Sequence, residues 1–314
     1  MNNKKENYEW KNDTEASIKQ YNEWFMNTCP NLYRNNDGDI NNRVKKVMEE
    51  TKFMSDLSID LIKRNPKNIE VLRMCTAPPI AKDRLAGLSG LSIEAPSFVK
   101  ALEEGRVQRK AKSDEYIEKL LNVINLMLDK SAFLWINEGR SPKEYELEKA
   151  FSIVEDRLVY SISNTIIKNA QEQRQLKKLT EYLESKGYTR YKGESFKDMK
   201  PGTFSTRLNV PGKQSNGNLV NIPVDMVVKT FNQKIEDIPI LIECKSAGDF
   251  ANTNKRRKEE AEKHSNLTNQ YGDGVKFILF LCGYFGESYL AYEAAHGIDW
   301  VWEHRISDLD EILI

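Results

Sequence analysis

The chain has no uninterrupted apolar run long enough for a membrane span. It has no surplus of either charge, with 47 Lys and Arg against 47 Asp and Glu. The first absence excludes an integral helical membrane protein. The second excludes a bulk polycation, although the local arrangement of charge matters more than its sum for a nucleic-acid binder. Cysteine is scarce: Cys29, Cys75, Cys244 and Cys282 show no paired spacing for zinc or redox chemistry and read as buried reduced thiols. The three histidines, His264, His296 and His304, are not spaced as metal ligands. No glycine-rich phosphate loop, nucleophile elbow or kinase motif set occurs. The opening residues lack the apolar segment of a signal peptide, so a cytoplasmic protein is expected. With 39% hydrophobic and 30% charged residues over 314 positions, the expected class is soluble and globular, with one large domain or two ordinary ones.

The residues present divide into two patterns. Up to about residue 150 the chain reads as helical. Val44, Val47, Met48, Met54, Leu57, Leu61 and Ile62 recur at helical intervals and predict one helix over 41–64. A second long helix is expected over 113–138, capped by Ser113, and Ser141-Pro142 signals a further helix start. A helix over roughly 156–186 ends at Gly187. Strands then follow at 204–210, 220–230 and 238–247, a polar helix at 252–271 and an apolar strand at 275–284. Two short extended segments are expected at 289–294 and 298–302. This order predicts an α/β (α+β) fold, a mixed central sheet flanked by helices. The domains are expected at 1–150, helical, and 151–314, carrying the sheet.

Within the sheet, charges stand where apolar residues belong. The strand Ile238-Pro-Ile-Leu-Ile-Glu-Cys-Lys-Ser-Ala247 sets Glu243 and Lys245 on one face, because side chains alternate along a strand. The preceding strand, Asn221-Ile-Pro-Val-Asp-Met-Val-Val228, carries Asp225 among apolar neighbours. Buried charge is costly unless something neutralises it. Asp225 and Glu243 suit Mg²⁺, with Mn²⁺ as a substitute and the Cys244 carbonyl as a further ligand. Lys245 is expected to position an attacking water, help deprotonate it and offset phosphate charge. The ordinary alternative is an ion pair at a strand end, with Asp225 at a sheet edge. Glu172, on the helix before the sheet, is a candidate second-metal or lysine-orienting residue, or it simply reaches water. Lys255, Arg256, Arg257 and Lys258 open the next helix and suit a phosphate backbone, unless they are a salt-bridged surface. Arg207 either contacts phosphate or covers the sheet.

These strings resemble the PD-(D/E)XK nuclease superfamily. More narrowly, Asn254-Lys-Arg-Arg-Lys-Glu-Glu, Phe280-Leu-Cys-Gly-Tyr-Phe and Gly297-Ile-Asp-Trp-Val-Trp-Glu-His-Arg look like the XamI family of type II restriction endonucleases. The likeness is densest over 200–306. It implies the restriction-endonuclease-like fold and Mg²⁺-dependent cleavage of both strands of duplex DNA at a short site, with Asp225, Glu243 and Lys245 as the catalytic set. Pro223 departs from the superfamily pattern, since Val224 separates it from Asp225. Such enzymes usually act as homodimers, and the helical half would then serve dimerisation, DNA embrace or base readout. A methyltransferase encoded nearby would protect the host's own sites. A structure-specific repair or recombination nuclease on the same core and a non-catalytic DNA-binding module are the other readings.

Overall fold

A computed structural model describes residues 7–34, 37–107, 112–251 and 253–313. The chain divides into two compact units. One comprises the residues up to Cys29 together with Ile167 onward; the other is Pro30–Ile166. Of the described residues, 7–29 thus cluster with the sheet, although they stand in the segment that reads as helical.

Pro30–Ile166 is built largely from short helices, among them α4 (Asn68–Met74), α5 (Lys82–Leu88), α6 (Leu91–Glu94) and α7 (Phe98–Glu103), around one apolar cluster that includes Met48, Ile62, Leu72, Phe98, Ile124 and Trp135. The expected 41–64 helix is broken in two. Helix α2 (Asp37–Glu50) stops where Lys52, Phe53 and Met54 all take positive φ, and α3 (Ile59–Arg64) follows. Thr51 accepts from the Met54 amide, and the Trp135 indole donates to the Phe53 carbonyl, so the break is held from outside the helix. The expected 113–138 helix also divides, into α8 (Ser113–Leu126) and α9 (Leu134–Glu138). Between them Asp129 accepts from the Ser131 and Ala132 amides and pairs with Arg157 at 2.6 Å. Ser113 is the first helical residue rather than the cap.

The other unit holds a six-stranded mixed sheet in the order β1-β2-β3-β4-β5-β6. Its strands are β1 (Thr189–Arg190), β2 (Thr203–Lys213), β3 (Leu219–Lys229), β4 (Ile240–Ala247), β5 (Phe277–Gly283) and β6 (Asp299–Trp302). β3 runs antiparallel to both β2 and β4, while β4, β5 and β6 run parallel. Every residue of β5 and β6 is buried, as expected for parallel strands covered on both faces.

Helix α10 (Glu144–Ser185) covers one face through Leu176, Leu179 and Leu183, against Phe204, Met226, Ile242 and Phe280. The opposite face packs Leu241, Leu279, Leu281 and Trp300 against Leu267 of α11 (Thr253–Tyr271), Leu290 of α12 (Glu287–Ala295) and Trp10 of α1 (Asn7–Arg34). The segment 289–294, expected to be extended, is therefore helical in α12. It follows Gly286, and it buries Tyr289, Leu290 and Glu293 at helical spacing.

The β2–β3 hairpin changes face midway. Phe204 packs on the α10 side, but Leu208 and Val210, at positions of the same parity, pack on the other. Across the hairpin, Ile222 and Val224 lie opposite in face to Met226 and Val228. The register runs unbroken on either side, with Thr206 beside Met226 and Leu208 beside Val224, and the pairing lapses only at Arg207 and Asp225. Arg207 supplies the rotation with a left-handed φ of 55°. A side chain there costs on the order of 1 kcal/mol. At the same level β3 parts from β4: their pairing ends at Met226 with Ile242, whereas β4 continues beside β5 to Ala247. Asp225 is the first residue of that fork.

Candidate active site

The fork sets Asp225 against the free length of β4. Its carboxylate accepts a 2.8 Å hydrogen bond from the Cys244 amide, a donor that β3 no longer uses. Burial, then the charge of Glu243, pushes the Asp225 carboxyl up to about 6, against the opposing pull of that amide and of Lys245. Glu243 is 5% exposed. Its Oε1 takes two ammonium groups, Lys245 at 3.1 Å and Lys263 of α11 at 2.5 Å. Its Oε2 is buried without a hydrogen-bond partner among the described residues.

Lys245 lies on the same face as Glu243, as strand alternation requires. It also pairs with Glu260 of α11 at 3.3 Å. Burial alone would lower its pKa, but Glu243 and then Glu260 hold it above the usual lysine value. It is therefore a firm ammonium, a donor and a positive charge. The Cys244 side chain points to the α10 face and is pushed well above the ordinary thiol range by burial and by Asp225, so it offers the site its backbone.

Helix α10 closes the other side. Gln175 donates to the Lys245 carbonyl at 3.2 Å and to the Phe280 carbonyl at 3.0 Å, and accepts from Ser246 at 3.1 Å. One amide thereby ties α10 to the ends of β4 and β5. A turn earlier, Glu172 accepts two hydrogen bonds from Arg207, at 3.0 and 2.6 Å. The two expected candidates thus meet each other, and Glu172 lines the cleft. Asp225, Glu243, Lys245 and Glu172 share an open cleft of about 480 Å³ with Lys168, Gln171 and Asp249.

The basic helix start is less uniform than its sequence. The side chains of Lys255 and Arg256, like Asn252, lie outside the described residues. Arg257 is half-buried with its guanidinium over the Tyr292 ring, 4.7 Å from the centroid. Lys258 is exposed.

Glu260, Lys263, Gln175 and Tyr289 surround these residues and are not site candidates in the sequence, where Glu260 and Lys263 read as partners on a salt-bridged helix surface and Tyr289 as core. Glu260 is instead fully buried. A signal for it exists: Leu267 is the buried apolar anchor of α11, and positions four and seven before it are Lys263 and Glu260.

Among the described residues no three His, Cys, Asp or Glu side chains converge as a ready metal cage. Two carboxylates, one with a buried unpartnered oxygen, do fit a hard cation that binds through one or two carboxylates and completes its shell from water and substrate.

A mixed sheet with helices on both faces and paired acids where two strands part defines the restriction-endonuclease-like class of fold. The chain matches the XamI restriction endonuclease family over residues 52–302. It is 42% identical to the type II restriction enzyme SalI of Streptomyces albus G, over 96% of both chains. It is 23% identical to the type II restriction enzyme XamI of Xanthomonas campestris pv. amaranthicola, over 61% of this chain and 63% of that one. No solved structure matches it. The chain belongs to the XamI restriction endonuclease family and is, as a member, an endonuclease.

Proposed function

We propose that the protein is a type II restriction endonuclease that cuts both strands of duplex DNA at a short recognition site, with Mg²⁺ as its cofactor. The observation that carries this reading is the meeting of Asp225, Glu243 and Lys245 in one open cleft at the strand fork.

In this reading Asp225 and Glu243 hold the ion, with the Cys244 carbonyl as a further ligand. Glu243 contributes through Oε2, since Oε1 is held by lysines. When bound, the ion supplies Lewis-acid stabilisation of charge developing on the phosphate. Lys245 donates to the attacking water and to the phosphate, and fixes their alignment for in-line attack. The water oxygen bonds to phosphorus as the bond to the leaving sugar oxygen breaks; the water gives up a proton to solvent, and solvent returns one to the leaving oxygen. Paired with Glu243 and Glu260, Lys245 brings a positive charge that orients the water, eases its loss of a proton and offsets charge on the phosphate.

Glu172 and Arg207 act together at the rim: Arg207 can exchange its carboxylate partner for a phosphate oxygen. Lys258, with the other bases of the α11 start, follows the DNA backbone. The working unit is a homodimer, since a two-fold protein matches a two-fold site on DNA. The protein acts in the cytoplasm beside a methyltransferase that modifies the same site, and the helical region, Pro30–Ile166, serves dimerisation, DNA embrace or base readout. No helix among the described residues is long and apolar enough to cross a membrane.

Purified protein is incubated with phage DNA in Mg²⁺, with Lys245→Ala and EDTA controls. Discrete fragments from wild type, and a loss of at least about 100-fold in Lys245→Ala with DNA binding retained, are expected. Smeared or nicked products would replace this reading with a structure-selective nuclease. Binding without any cleavage in Mg²⁺ or Mn²⁺ would replace it with a DNA-binding module.

A further inference from the structure

Behind the cleft lies a second set of ionisable groups that the reaction as described does not use. Glu260 of α11 is fully buried, as is Glu293 of α12, and Tyr289 is 1% exposed. The Tyr289 hydroxyl donates a short hydrogen bond to Glu260 Oε2. The other carboxylate oxygen of Glu260, Oε1, faces the Lys245 ammonium at 3.3 Å as an ion pair without hydrogen-bond alignment, so the restraint is one of charge. These contacts form a chain from α12 through α11 to β4: phenol, carboxylate, ammonium, and then Glu243 Oε1.

Burying a carboxylate is costly, and an apolar residue of similar size would pack the same space at lower cost. Glu260 shows the strain of that burial, its pKa raised above the ordinary range despite Lys245 and Tyr289. An interaction kept at such cost fixes the direction of a flexible side chain. Lysine has four rotatable carbons and a compact charge, so it needs an external restraint to hold one position. Glu243 alone restrains Lys245 weakly, because Lys263 competes for the same oxygen. Glu260 supplies a second, independent anchor, and Tyr289 fixes Glu260 in turn.

We propose that Glu260 is a positioning residue that, locked by Tyr289, aims the Lys245 ammonium at the reacting phosphate. The proposal rests on the nuclease reading above and assigns Glu260 no contact with DNA. Its effect is therefore on the rate of cleavage and not on the binding of substrate.

The experiment measures single-turnover cleavage of a duplex at saturating protein in Mg²⁺, beside DNA affinity in Ca²⁺, for wild type, Glu260→Gln and Tyr289→Phe. Glu260→Gln keeps the shape and removes the charge. It is expected to slow cleavage at least ten-fold with affinity within two-fold of wild type. Tyr289→Phe keeps the ring, and a three- to ten-fold slowing is expected with affinity again unchanged. Circular dichroism and melting confirm that each variant is folded. If Glu260→Gln does not fold, Tyr289→Phe alone carries the test, because loss of one hydroxyl leaves the packing intact. Rates within two-fold of wild type in the folded variants would overturn the proposal. So would a rate loss matched by an equal loss of affinity, which marks a merely structural role. If wild type itself does not cleave, the nuclease reading has failed; if wild type cleaves and the variants match it, only the role of Glu260 has.

Discussion

Glu293 holds its proton at neutral pH. Burial, then the charge of Glu260, raises its carboxyl from 4.5 to about 8. A raised folded-state pKa means that the native state binds more protons than the unfolded chain between those values. The associated stability is full below pH 4.5 and is lost as pH rises through about 8, at up to about 1.4 kcal/mol per pH unit. Glu260 is raised too and acts in the same sense. Urea unfolding of Glu293→Gln from pH 5 to 9 should therefore show a flatter decline than wild type; parallel curves would show that Glu293 does not carry the proton. Gly283 offers a different test. Its φ is 101°, and an added Cβ would fall 2.1 Å from the Ala247 carbonyl oxygen, where β4 and β5 end together. Gly283→Ala should cost more than about 2 kcal/mol, from strain and steric displacement of backbone, visible as a lower melting temperature; an unchanged one would mean that the strand ends yield. At this scale, Asp225, Glu243 and Lys245 were legible because charge inside apolar strands stands out against its neighbours. Glu260 was not, because Leu267 is the sole buried apolar anchor among the described residues of a mostly polar α11, and one buried glutamate among exposed ones leaves little contrast.

Elements were legible where their period was long and regular. The strands at 219–229, 240–247 and 277–283, and the helix over α11, were read within a few residues. The misreadings share one physical cause, a tertiary contact that overrides local pattern. The 41–64 periodicity continues across a break that Thr51 and Trp135 hold open. In α12, aromatic residues that favour strands form a helix because Tyr289, Leu290 and Glu293 must face the sheet together. The change of face in the β2–β3 hairpin was hidden as well, since no glycine marks it and an arginine adopts the left-handed conformation. The join of α10 to the sheet can be probed through Gln175. Gln175→Leu keeps the volume but leaves the Lys245 and Phe280 carbonyls without their donor. A loss of about 1–3 kcal/mol is expected for each buried group so stranded, read from denaturant midpoints. A loss below about 0.5 kcal/mol would show that water reaches these carbonyls.

For the whole molecule, the equality of 47 basic and 47 acidic residues sets a condition on DNA binding. Long-range attraction from net charge is absent, so affinity must come from a few well-placed cations. Each phosphate neutralised contributes about 0.9 to the slope of log affinity against log salt. Lys258→Ala should reduce that slope by about 1 while weakening all duplexes alike; an unaltered slope would place Lys258 away from the DNA.

The division of the chain adds a matter of timing. The sheet unit begins with residues up to Cys29, is set aside while Pro30–Ile166 is made, and resumes at Ile167. Asp225, Glu243, Glu260 and Tyr289 follow only in the last third of the sequence, and β6 closes the sheet at Trp302. On the ribosome, where the amino end emerges first, the helical unit is made before any member of the proposed catalytic set. On the proposed assignment, a truncated or stalled product that ends before β4 carries neither Glu243 nor Lys245 and leaves the DNA of the cell that makes it uncut.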